Sequence, residues 1–229
     1  MRQTVVKYFL EFFVIVVGIS ISFYVENYNE AMKKEELKNQ SLNRILENIK
    51  VDKYDNKWNY NAHNKSLKST EWLLKNRGDL NAFSRDSIGS HLTRAINFIT
   101  YFVDNKEEYK TIQSSGYIEF IQNESLVKGL QSKYVQHNFM KFIEEEIRDK
   151  AEHLADYEFK NSKIKSDSMY MNSYLIDKTY TGSFKIPNEI YDRLIEKASY
   201  QKMYLGIIKR RLERDSLLVL EIEKEILIN

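Results

Sequence analysis

Residues Tyr8 to Val25 read YFLEFFVIVVGISISFYV, an apolar run of eighteen residues between Lys7 and Glu26 that contains a single charge, Glu11. Coiled as a helix at about 1.5 Å per residue, it spans roughly 27 Å, close to the hydrocarbon thickness of a bilayer. Aromatic residues at both ends, Tyr8 and Phe9 and then Phe23 and Tyr24, suit the two interfaces, where one side of a ring is dry and the other wet. The run predicts a single-pass N-terminal anchor, with the lipid bilayer as its partner. A cleavable secretory signal is the competing reading, with Ser20-Ile21-Ser22 as its small-residue site. Glu11 and the length of the run favour an anchor that is retained.

A carboxylate at this depth is costly, so Glu11 is a candidate pore ring, proton site or counter-charge. The structural alternative is a pair with Lys7, four residues earlier on the same face, with both side chains reaching the headgroups. Gly18 and Ser22 form a small-xxx-small pair that lets two such helices approach closely. Charge does not choose an orientation. Arg2 and Lys7 precede the run, and Lys33, Lys34, Lys38 and Arg44 come after it.

The remaining chain, about 200 residues, is enough for one good core. Lys+Arg 35 nearly balance Asp+Glu 33, which argues against nucleic acid, DNA above all, as the main partner. With no cysteine, the chain cannot form a disulfide scaffold, a Cys-based zinc site or a thiol nucleophile. One proline and seven glycines in 229 residues leave little to interrupt long helices. The fold expected is all-α, the anchor continuing into a long-helix bundle with coiled-coil character. It divides into residues 1–25 (tail and anchor), 26–160 (helical body), 161–187 (irregular connection) and 188–229 (a heptad-patterned helix packing on the body).

After the anchor, Leu42, Ile45, Leu46 and Ile49 have the spacing of one buried helical face. Past Ile49 the stripe turns polar through Asp52, Asn56, Tyr60 and His63. It reads either as a polar interior or, by preference, as a solvated helix packing through Trp58 and Trp72. Arg77-Gly78-Asp79 marks the turn. Ser84 or Asp86 can cap a second helix, with Ile88, Leu92, Ala95, Ile96 and Ile99 on its apolar face. Asp104 or Asn105 is expected to cap a third, ended by Gly116. Asn123 is placed to cap a fourth, reaching about Phe159, and Pro187 precedes the last.

In that last helix, positions 201, 205, 208, 212, 215, 219, 222 and 226 alternate spacings of four and three. The seam holds Leu205, Ile208, Leu212, Val219, Ile222 and Ile226, with Gln201 and Asp215 as polar intruders. It can pack along the first helix or join a second subunit, and the expectation adopted is a self-association seam in a homo-oligomer. Lys209, Arg210, Arg211 and Arg214 beside it read as a solvated ion-pair face.

The anchor and the first part of the body resemble an uncharacterised family of small bacterial membrane proteins, a domain of unknown function. The resemblance rests on Glu11, Val17-Gly18-Ile19, Ser20, Val25, Asn27-Tyr28-Asn29-Glu30, Tyr109 to Gly116 and Ile121 to Leu126. It covers roughly Tyr8 to Tyr134. It implies a single span in a bacterial inner membrane, N-terminus inside, with a mostly helical exported body, and it brings no assigned chemistry.

Phosphate-binding glycine loops, HExxH, GxSxG and paired cysteines do not occur, and the histidines are dispersed. No metal or cofactor is expected. Arg148-Asp149-Lys150-Ala151-Glu152-His153 resembles the Arg/His motif of helical HEPN-type ribonucleases, in which imidazole moves a proton and guanidinium holds charge on a scissile phosphate. Arg85-Asp86 with His91 is a similar near match. On one helix, however, Arg148 and His153 are about 140° apart. The leading expectation is a non-enzymatic, self-associating, membrane-anchored scaffold, sensor or channel component. The alternative is a membrane-tethered ribonuclease using Arg148 and His153, with RNA as its partner. A third reading is an extracytoplasmic ligand sensor with a pocket between helices.

Overall fold

The computed structural model describes residues 2–103, 105–165 and 177–227. It is all-α, 84% helical. Its helices are α1 (Arg2–Lys75), α2 (Arg85–Asn97), α3 (Glu107–Ser114), α4 (Glu124–Asn161) and α5 (Asn188–Leu227). Two short strands, β1 (Ser162–Ile164) and β2 (Lys178–Tyr180), pair antiparallel with Ser162 opposite Tyr180. The connection at 161–187 is thus partly ordered by this pair, and residues 166–176 lie outside the described residues.

α1 is 74 residues long, and it does two things along its length. Residues 7–33 are exposed throughout, about 40 Å of helix, and the apolar window within them is 0% buried. This segment is long and apolar enough to cross a membrane. The same helix then enters the body, where Lys38 is the first buried residue and Leu42, Ile45, Leu46 and Ile49 form part of the core.

Local signals set the ends of the other helices. The Ser84 hydroxyl accepts from Ser87 N, and Asn123 Oδ1 accepts from the backbone N–H groups of Ser125 and Leu126. Gly116, at φ 75°, takes the left-handed conformation that stops α3, which a side chain would resist. Asn105 does not cap α3; it is drawn away to the Asp52 carboxylate, and α3 begins after Lys106 without a side-chain cap. Asp104 lies outside the described residues.

Cross-helix contacts give the topology. Lys38 meets Glu225 and Ser66 meets Lys197, so α5 runs antiparallel to α1. Lys133 meets Asp215 and Glu144 meets Tyr204, so α5 is also antiparallel to α4. The apolar stripe of α5 is consumed in these contacts. Val219, Ile222 and Ile226 pack with Leu42, Ile49 and Leu126, while Ile208 and Leu212 pack with Met140 and Ile147. Leu205 packs with Leu67. The expected self-association seam is therefore an intrachain one, because α1 and α4 present matching stripes along the whole length of α5.

α2 closes the far end. Its Ile88, Leu92, Ala95 and Ile96 join Leu73, Leu154, Tyr180 and Leu194 in a second core. A Cβ built on Gly89 would lie 2.1 Å from the Lys178 carbonyl oxygen, so β2 can approach α2 only because that side chain is missing. Gly89→Ala should destabilise the protein by about 3 kcal/mol, read from chemical denaturation of the full chain in detergent. An unchanged midpoint would refute the close α2–β2 contact.

A cleft over a buried charge cluster

The polar stripe of α1 is an interior, not a solvated face. Asp52, Asn56, Asn59 and His63 are each 0% exposed, whereas Trp58, expected to anchor the packing, is exposed. The reason is the partners that α4 and α5 bring. Lys133 of α4 places its ammonium 2.9 Å from Asp52 Oδ2 and 3.0 and 3.1 Å from the two oxygens of Asp215 on α5. The ammonium thus donates to both Asp215 oxygens and ion-pairs with Asp52, whose Oδ2 has no hydrogen-bond partner among the described residues, so two carboxylates offset the cost of burying it. The Asn105 amide donates to Asp52 Oδ1 at 2.9 Å.

Arg211 completes the cluster and corrects the reading of the basic run on α5 as wholly solvated, since it is only 4% exposed. Its guanidinium stacks 4.4 Å from the Phe102 ring centroid. One Nη donates to Met140 Sδ at 3.0 Å and the other to His137 Nδ1 at 3.1 Å. Burial, reinforced by Arg211 and Lys133, holds the His137 imidazole down at about 3, so it is neutral and can accept that bond. Asp215 is pushed up by burial, against the pull of Lys133. The nearest carboxylate to Arg211, Asp52, is 3.9 Å away, and among the described residues its Nε has no acceptor.

Above this cluster a cleft of about 190 Å³ opens between α4 and α5. Lys133, Arg211 and Asp215 line its depth, Leu217 and Leu218 its apolar wall. Two hydrogen bonds bridge it: Arg214 to the Ser132 hydroxyl at 3.3 Å, and the Ser125 hydroxyl to Glu221 at 3.1 Å. The chemistry on offer is charge and hydrogen bonds beside an apolar wall, over a buried ion cluster that ties the lining residues Lys133 and Arg211 to Asp52 of α1.

Other buried polar groups are tied to helix ends. Glu225 accepts from the backbone N–H of Gln122 and Asn123 at the start of α4, and it faces Lys38, which also pairs with Glu35. Glu144 accepts from Phe102 N and the Tyr204 hydroxyl. Lys197 donates to the Ala95 carbonyl at 2.8 Å, near the C-terminal end of α2, and to Ser66 at 3.2 Å. Nearby, burial lowers His63 to about 4; its Nε2 lies 3.1 Å from the Thr100 carbonyl.

The residues singled out from the sequence are not brought to this cleft. Glu11 lies 3.9 Å from Lys7, both exposed, and the Ser22 hydroxyl bonds back to the Gly18 carbonyl at 3.0 Å. Arg148 pairs with Glu152 at 3.6 Å and His153 with Asp149 at 3.7 Å, all on the exposed surface of α4. His91 is stacked on Trp72 with centroids 4.0 Å apart, and Arg85 donates to the carbonyls of Tyr180 and Gly182. Among the described residues no group of three or more His, Asp or Glu is placed to hold a metal ion. No family model, curated protein or solved structure matches the chain.

Two outcomes test this interior. Asp52→Asn should cost about 3 kcal/mol by leaving the buried cations undercompensated; a loss below about 0.5 kcal/mol, the scale of a surface change, would contradict it. Burial lowers the Lys197 ammonium from 10.5 to about 7. Between those values the unfolded chain holds a proton that the folded one lacks, so stability rises with pH across that window. The thermal midpoint should climb from about pH 7 to about pH 9 in the native chain, and Lys197→Met should flatten that climb.

Proposed function

We propose that the protein is a single-pass, membrane-anchored sensor that self-associates through its span and whose helical body reads a ligand in the α4/α5 cleft. The observation that carries this reading is α1. One helix supplies the exposed apolar segment, the stalk above it and Asp52, which pairs from beneath with Lys133 in the lining of the cleft. A rearrangement of the Lys133–Asp52–Asp215 cluster is therefore felt by the rod that enters the bilayer, with no flexible linker to absorb it. A tether alone needs no such continuity.

Self-association falls to the span, since the stripe of α5 is used within the chain. Gly18, where a Cβ would meet nothing within 4 Å, shares a shallow groove with Ile15, Ile19 and Ser22. A second helix can seat there closely. The full chain should stay in the membrane pellet after alkaline carbonate washing. Its mass in mild detergent should be a multiple of 27.4 kDa, and Gly18→Ile should shift it towards a single copy. Recovery of the unprocessed chain in the soluble fraction would reject the anchor, and a strict monomer would reject self-association.

A further inference from the structure

We infer that the cleft takes a small organic oxyanion from solution, a carboxylate or a phosphate monoester, clamped by Arg211 and Arg214. This deepens the sensor reading and rests on the cleft being its ligand site. Two arginines line the same cleft without a hydrogen bond to a carboxylate among the described residues, the nearest to Arg211 being Asp52 at 3.9 Å. Arg211 is more than nine-tenths buried, yet its two bonded nitrogens meet a thioether sulfur and a neutral imidazole, and its Nε meets no acceptor among the described residues. Buried guanidinium groups ordinarily sit against carboxylate or phosphate, whose paired oxygens match the guanidinium fork. Arg214, one helical turn on, is exposed and donates to the Ser132 hydroxyl, with Gln136 beside it in the lining.

The anionic groups of the cleft do not compete for this end. Asp52 and Asp215 are engaged by Lys133, which donates to both oxygens of Asp215 and lies 2.9 Å from Asp52 Oδ2. Glu221 holds the opposite end, bonded to Ser125. Leu217 and Leu218 give the ligand's carbon chain an apolar wall, and the volume suits a compact molecule. The headgroups of the chain's own bilayer are not the source. From Val25 to Asp52, level with this end of the cleft, α1 runs about 40 Å, well beyond the depth of a headgroup layer. An oxyanion bound at Arg211 would draw that guanidinium from Asp52 and so alter the charge balance on α1 itself.

The test uses the full chain in non-ionic detergent at constant ionic strength. Butyrate and a short-chain alkyl phosphate are titrated separately, with tetramethylammonium and chloride alongside, and the thermal midpoint and heat of binding are read. At least one oxyanion should bind saturably with a Kd of about 1 mM or tighter. Arg214→Gln, a surface change, should weaken it at least about tenfold, and Arg211→Met at least as much. Glu221→Gln should leave it equal or tighter. Oxyanion binding that Arg214→Gln leaves unchanged, or a response that tracks chloride equally, overturns the inference. Saturable binding of tetramethylammonium alone also overturns it but keeps a ligand-binding body. Silence from every probe removes the oxyanion and leaves the anchor to be judged by the carbonate wash.

Discussion

Taking an ammonium out of water costs several kcal/mol unless carboxylates pair with it and accept from it. Lys133 meets that condition only where α1, α4 and α5 converge, with Asp52 on one side and Asp215 on the other. Separating either helix from the other two strands at least one charge in an apolar interior. The arrangement therefore fixes helix register more strictly than the leucine and isoleucine contacts around it, which tolerate a slip of one turn at modest loss. The other buried ions act alike. Glu225 ties the end of α5 to the start of α4 and to Lys38, and Glu144 ties the 98–106 connection to α4 and α5.

This polar spine explains how a chain with so many charges still builds apolar clusters. Its apolar clusters lie above and below the ion layer. Leu42, Ile49, Leu126 and Ile222 are on the stalk side, and Leu73, Ile88, Leu154 and Leu194 are at the far end. Where the ions meet the α4/α5 surface the packing opens into the cleft, and Arg211 Nε there has no acceptor among the described residues. The cleft is thus lined in part by the same charges that hold the bundle in register. In the proposed sensor, a ligand's effect would reach α1 through Lys133 and Asp52.

Much of the helical framework is legible in the sequence because its determinants are local. Ser84 and Asn123 cap because their side chains reach amides two or three residues away, and Gly116 terminates because it alone tolerates positive φ cheaply. The inward-facing positions are legible as well: Asp52, Asn56 and His63 continue the stripe of Leu42, Ile45 and Ile49, and Asp215 sits on the seam of α5. What misleads is the usual inference that a polar residue on a stripe turns the helix towards water. Arg211 was hidden for the same reason, as one of four basic residues in a run that otherwise faces solvent.

Composition and residues within a turn of one another suffice for an apolar N-terminal helix of bilayer length, an all-α body of long helices and most of their ends. The packing of the helices was needed to establish that the stripe of α5 is spent inside the chain and that Lys133 pairs with Asp215, 82 residues away. It also brought Arg211 and Arg214 to one cleft. Those outcomes depend on which helix lies against which, and helical periodicity marks the face that is buried without naming what covers it.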